Sequence, residues 1–450
     1  MTTAPAAPEL RLQPDPRQWP ALAAAHARAR RAATPVVMSG HQADVWHAGI
    51  LAKWFACAAA ARAVNGEAVW LIVDQDEGDP TRLRFPARGR HADAVPEEID
   101  LRASSEDASG VPTGMRPSAD IDAVRAADAP AATPAVADGL RRAAEAMARH
   151  TDAPSLARQI DAAVRDLIGG EDPPRAIFAT DLSATDAFAE LLDAIKADPA
   201  ACTRTYNEAA AERPDAGVRA LERTGERVEL PLWRLARDRP RRPVFSGELA
   251  DADARTLAPR GLLMTGLVRR RLCDLFIHGT GGGATGSREG YDRVTEAWFE
   301  AWLGETRLAP AVLATATLRL PLGESERPTQ GDAAAARARA HRARHDPSII
   351  GDEAAARAKQ AILDRVRATK QAGGDAAPHF AEMQALLERY RAERADDLRR
   401  LDDEADRLAE LAAAPDAADD RTWPFVLHEP GAIADLRRAI EARFAAPAAG

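Results

Sequence analysis

Along the first two thirds of the chain, short continuous apolar runs alternate with helix-length segments. Pro35-Val36-Val37-Met38, bounded by proline and by Ser39-Gly40, predicts a buried strand. Residues 46–64 predict a helix, ended by Asn65-Gly66. Residues 68–73 predict a second buried strand, which runs into acid at Asp74-Gln75-Asp76-Glu77-Gly78-Asp79. Strand, loop, helix and strand in that order make a βαβ unit. Strands that are apolar throughout, without alternation, predict a parallel sheet covered on both faces.

Residues 1–33 read as a proline-punctuated lead-in followed by an Ala/Arg-rich helix. Residues 87–135 are polar and rich in Pro and Asp, and predict an insertion or mobile connection. Helices are predicted over 136–168 and 183–195, the second with Ser183 as its N-cap. Strands are predicted at 176–179, 228–233 and 312–320, with an amphipathic stretch over 262–277.

After Pro328 the pattern becomes helical alone. Phe380, Met383, Leu387 and Tyr390 step by three and four. Arg394 interrupts the stripe, and Leu398, Leu401, Ala405 and Leu408 resume it, a coiled-coil seam with one stutter. Gly373-Gly374-Asp375 predicts an antiparallel hairpin with a helix over 354–370. The expected architecture is α/β. A Rossmann-like parallel-sheet core covers residues 1–330, with helical insertions at about 87–170. A C-terminal antiparallel coiled-coil arm covers 331–415, and residues 416–450 pack back on the core.

Composition narrows the function. With 450 residues, 46% apolar and 29% charged, the chain is neither disordered throughout nor collagen-like nor a disulfide-stapled mini-domain. Sixty Lys and Arg against sixty-nine Asp and Glu leave −9. That balance excludes a general DNA- or RNA-coating surface but leaves room for a local basic pocket. Cys57, Cys202 and Cys273 are far apart and never form C-x-x-C, which predicts a reducing cytoplasm and no structural zinc. The first residues lack a signal-peptide pattern. The longest strongly apolar stretch, 54–61, is far short of the ~20 residues of a membrane span.

Three clusters could carry chemistry. The first is Ser39-Gly40-His41-Gln42-Ala43-Asp44-Val45-Trp46-His47-Ala48-Gly49-Ile50, between a strand and the helix after it, where this kind of unit binds anions. Gly40 would permit a tight turn, and Gly49 a close ligand approach. His41 and His47 would donate to phosphate or act as acid or base, and Lys53 lies one turn on. The alternative is that both histidines are ordinary loop and helix-start residues. The second cluster is Asp74, Asp76, Glu77 and Asp79, delivered to the same edge of the sheet and able to bind an amine, a ribose hydroxyl or Mg²⁺; the alternative, which Glu77 and Asp79 fit better, is a solvated acidic turn. The third runs from Arg269 through His278 and Gly279 to Tyr291 and Asp292, with residues 279–286 as a flap; the alternative is a plain chain reversal. Cys57 and Cys273 read as packed thiols. The first cluster is neither the G-x-G-x-x-G dinucleotide fingerprint nor a P-loop, and no G-x-S-x-G or H-E-x-x-H pattern is present.

His47 and Gly49 match the first and third letters of the H-I-G-H signature of class I aminoacyl-tRNA synthetases and related nucleotidylyltransferases, and Ile50 departs from the last. Taken together, the parts resemble the bacillithiol biosynthesis cysteine-adding enzyme family. Gly40-His41-Gln42 stands where that family carries G-Q-Q. Trp70-Leu71-Ile72-Val73-Asp74-Gln75-Asp76 resembles its strand ending in D-H-D, with Gln75 in place of the histidine. Residues 278–292 resemble its glycine-rich segment loosely.

The resemblance implies a Rossmann-fold core, a coiled-coil homodimer, and a ligase that adds cysteine to a glucosamine–malate acceptor. Activation of the carboxylate by ATP or another nucleotide, with Mg²⁺ as a companion, would be the natural chemistry. The expected roles are charge stabilisation by His41 and His47, amine binding or base catalysis by Asp74 or Asp76, and substrate binding by Gly40, Gln42, Gly49, Lys53, His278, Gly279, Tyr291 and Asp292. A non-catalytic ligand-binding or assembly module and a nucleotidylyltransferase are the other readings.

Overall fold

The computed structural model describes residues 7–89, 94–103, 110–225, 227–237, 239–250, 252–282, 290–322, 328–413, 417 and 420–445. The chain divides into two compact units, residues 1–322 with 417–450, and residues 323–416.

The first unit is α/β. Its strands are β1 (Glu9–Gln13), β2 (Val36–Gln42), β3 (Glu67–Val73), β4 (Arg82–Arg88), β5 (Ala94–Asp100), β6 (Arg175–Phe178), β7 (Arg223–Thr224), β8 (Arg227–Ala236), β9 (Arg239–Phe245), β10 (Leu257–Pro259), β11 (Leu275–His278) and β12 (Ala311–Thr317). Six of them form one sheet in the order β1-β12-β11-β2-β3-β6. All its pairs are parallel except the edge pair β1–β12. A smaller antiparallel sheet joins β7, β8, β9 and β10, and β4 pairs with β5.

The continuous apolar runs supply both faces of the large sheet. Val37, Trp70, Ile72, Leu275 and Ile277 enter one core. Their neighbours Met38, Val69, Leu71 and Phe276 enter the other. Period-two alternation thus feeds two apolar layers, as a parallel sheet requires. The Ala48–Ala63 helix is buried almost all round because it lies between the sheet and the Pro430–Ala445 helix. Trp46, Trp54 and Trp70 pack together there, with ring centroids 4.8 to 5.7 Å apart. Trp423, Phe425, Val426 and Leu427 return to the same core.

Several boundaries differ from the sequence expectation. Within 87–135, the described residues are tied down rather than loose. β4 and β5 pair, Thr113 N–H donates to Asp76 O at 2.9 Å, and Gly114 N–H to Asp74 O at 2.7 Å. Thr185, and not Ser183, caps the Asp186–Ala197 helix, because a 3₁₀ segment, Ala179–Ala184, intervenes. The stretch 262–277 is three elements: a helix (Gly261–Leu267), a π-turn (Val268–Leu272) and β11.

Among its described residues the second unit contains four α-helices: Gln330–Ala343, Glu353–Gln371, Ala377–Glu393 and Ala395–Ala413. A capping box between Thr329 and Asp332 starts the first. The first packs on the fourth and the second on the third. Ion pairs Arg337–Asp406, Arg344–Asp402, Arg394–Asp352 and Arg365–Glu382 run in opposite sense along the two halves, so the pairing is antiparallel. The apolar stripe is split into two helices at Arg394, which turns outward to Asp352. Met383, Leu387, Tyr390 and Leu398 pack with Ile362 and Val366 of the same chain.

Candidate functional site

β2 leads into β3 on one side, while β11 and β12 lie on the other, so the strand order reverses between β2 and β11. Ligands of open parallel sheets bind at the carboxyl ends of strands where the order reverses. A cleft of about 810 Å³ opens at that point. Gly40, His41, Gln42, His47, Gly49, Lys53, Asp76, Gly279 and Tyr291 line it.

The β2 loop builds the floor. Gly40 is required by packing: a Cβ there would stand 2.4 Å from Leu71 O on the adjacent strand. His47 caps the Ala48–Ala63 helix, its Nδ1 accepting from Gly49 N–H at 3.0 Å. A Cβ on Gly49 would meet that ring at 2.8 Å. The Gly49 N–H is therefore spent on His47 and not offered to an anion. In return the neutral ring must carry its proton on Nε2. Burial, then the charges of Arg421 and Lys53, hold His47 down to about 4. Burial, Lys53 and His47 likewise depress His41 well below the ordinary histidine value, and its Nδ1 has no hydrogen-bond partner among the described residues. Both rings are neutral at physiological pH.

Lys53 is 5% exposed. Its Nζ donates to Gly40 O at 2.6 Å and sits 5.5 Å from the Trp70 ring centroid. Burial pushes the amine down to about 7. Cys57, one turn on, is buried and inert, its thiol pushed up to about 12 by burial.

Three expected site residues do not reach the cleft. Asp74 is 2% exposed. It accepts from Thr180 N–H at 2.9 Å and from the Thr180 hydroxyl, and Gly114 presses on its carboxylate. The chain turns immediately after β3, so Asp74 latches the strand end to the 3₁₀ segment while Val73, Gln75 and Asp76 line the opening. Burial pushes Asp74 up to about 6, against the pull of the Thr180 hydrogen bonds. His278 and Asp292 lie behind the wall, paired with each other, and only their neighbour Tyr291 emerges. Residues 283–286 of the expected flap lie outside the described residues.

The opposite wall comes from residues with no local sequence signal. Trp233 on β8 carries the Arg260 and Arg241 guanidinium carbons 4.1 and 4.7 Å from its ring centroid. Glu229, 1% exposed, accepts from Arg260 at 2.5 Å and Arg219 at 2.6 Å and so aims both. Arg241 donates to Gln75 O at 2.6 Å and faces Asp76 at 3.6 Å. Arg421, from the returning segment, donates to Thr315 Oγ1 at 3.2 Å and has no ion-pair partner among the described residues. Four guanidinium cations (Arg219, Arg241, Arg260 and Arg421) thus line the cleft, with the Lys53 amine beside them and, among the described residues, one carboxylate, Asp76. Glu229 behind them neutralises part of that charge, and the remainder favours an anionic ligand.

Among the described residues, no group of three or more His, Cys, Asp or Glu is placed to hold a metal ion. Asp76 alone, facing Arg241, does not make a resident Mg²⁺ site; such an ion would have to arrive on phosphate oxygens. No helix among the described residues is long and apolar enough to cross a membrane. No protein-family model matches the chain, and no curated protein matches it.

Proposed function

We propose that the chain is a cytoplasmic carbon–nitrogen ligase on a Rossmann-like core with a coiled-coil arm. It joins an amino acid, cysteine by resemblance, to the amine of a small anionic acceptor, as in bacillithiol-type synthesis. The observation that carries the reading is the excess of cations around two neutral imidazoles at the strand-order reversal. A free carboxylate does not acylate an amine, so a nucleotide such as ATP activates it. Lys53 and Arg421 then face the phosphates, and Arg219, Arg241 and Arg260 the acceptor's carboxylates. The Nε2–H of His47 donates to the oxygen that gains charge at the acyl carbon, and Asp76 holds the ammonium of the amino acid.

The test is direct: the full chain is incubated with ATP, cysteine and a glucosamine–malate acceptor, and products are read by mass spectrometry. The reading expects an amide with stoichiometric nucleotide cleavage. ATP binding with no amide would favour a binding module, and pyrophosphate release without acceptor a nucleotidylyltransferase. A homodimer through the arm belongs to the same reading. Because Leu387 and its neighbours are covered within one chain, such a dimer would use the arm's outer faces.

A further inference from the structure

His278 ends β11, and Tyr291 and Asp292 open the Tyr291–Leu303 helix. His278 is 3% exposed. Its Nε2 is in close ion-pair contact with Asp292 Oδ1, a contact without hydrogen-bond alignment, so that neither atom has a hydrogen-bond partner among the described residues. On the other side of the ring, Nδ1 lies 3.3 Å from the Tyr291 hydroxyl. The three side chains form a line whose ends reach different spaces. Tyr291 lines the cationic cleft. Asp292 lines a second cavity of about 410 Å³, beside Gln13, Leu22, Glu296 and Leu313.

The order of groups has a chemical consequence. The negative charge of a carboxylate against Nε2 favours the imidazole proton on that nitrogen, and the Nδ1 lone pair then faces the tyrosine hydroxyl. Carboxylate, imidazole and hydroxyl in sequence is the arrangement by which a hydroxyl oxygen is made basic. The helix N-terminus favours the negative charge of Asp292. Burial, then the Asp292 charge, hold the Tyr291 hydroxyl above its ordinary range, so it keeps its proton until the imidazole takes it.

The geometry points to a proton relay in which Tyr291 is the catalytic base of the cleft and His278 and Asp292 are its positioning residues. The relay rests on the ligase reading for its substrate, an acceptor amine attacking an activated acyl carbon. As the C–N bond forms, the amine proton passes to the Tyr291 oxygen, and the Tyr291 proton passes to His278 Nδ1. The imidazolium so formed is paired with the Asp292 carboxylate. When the acyl–oxygen bond breaks, its electron pair leaves on the phosphate oxygen, and the proton retraces the path to that oxygen. No oxidant, reductant or further reactant is needed.

Two measurements on the full chain test the relay. Nitrogen-15 spectra of labelled histidine, with His278 assigned by its loss in His278→Gln, should show the neutral Nε2–H tautomer at neutral pH. Asp292→Asn should lose that tautomer, and Tyr291→Phe should keep it. In amide formation, Tyr291→Phe should lower kcat by about 10²-fold or more while KM stays within about threefold. Asp292→Asn should lower kcat in parallel. An Nδ1–H tautomer in the wild type, or an unchanged kcat in Tyr291→Phe, overturns the relay. Failure of the wild type to form any amide overturns the ligase reading, and with it the amine as the proton's source, whereas the tautomer reports on the line of groups in either case.

Discussion

At the scale of single residues, Lys53 decides most about the cleft. Among the described residues its amine has a backbone carbonyl and an aromatic face for company and no carboxylate in an ion pair. Burial holds it at about 7 against an ordinary 10.5. Between those values the unfolded chain binds a proton that the folded chain has released. Stability therefore rises with pH across that window, by up to ~1.4 kcal/mol per pH unit, and is lost as pH falls toward 7. The buried thiols act in the opposite sense. Burial raises Cys57, Cys202 and Cys273 above 9, so the fold loses stability as pH climbs past that value. Denaturant unfolding between pH 7 and pH 9 should show the wild type gaining stability and Lys53→Met remaining flat. Equal slopes would mean that Lys53 stays charged in the fold. What sequence could not give at this scale was direction. Asp74 follows β3 as closely as expected, yet one backbone turn sends it to Thr180 while Gln75 and Asp76 line the opening.

At the scale of elements, the legible parts were those whose composition repeats their environment. β2 and β3 are apolar throughout because both faces are covered, and the Ala48–Ala63 helix is apolar all round for the same reason. β4 was hidden because Arg82, Arg84 and Arg88 alternate with Leu83 and Phe85, and Pro86 reads as a break. The helical stripe after residue 376 was legible residue by residue, but not its division at Arg394, since an arginine in a stripe marks a stutter and a break equally well. The stripe's partners lie in the same chain, the arm's second helix against its first half and the arm's first helix against its second, and Leu387, 6% exposed, sits in the former seam. Leu387→Ala should cost the arm about 3 kcal/mol, read from helix loss by circular dichroism in urea. An unchanged midpoint would place Leu387 outside the packed seam.

At the scale of the whole molecule, the cleft is a product of topology. Arg219, Arg241 and Arg260 come from the region of the small sheet and Arg421 from the returning segment, and among sixty Lys and Arg none carries a local mark. The strand-order reversal, the small sheet bearing Trp233, and the returning segment that brings Arg421 to Thr315 together make one cationic wall. Calorimetric titration of ATP into the wild type and into Arg421→Gln tests this most directly. Saturable binding is expected in the wild type, weakened about tenfold in the variant, or ~1.4 kcal/mol. No saturable heat in the wild type, or equal affinity in both proteins, would contradict a cleft built to hold an anionic substrate.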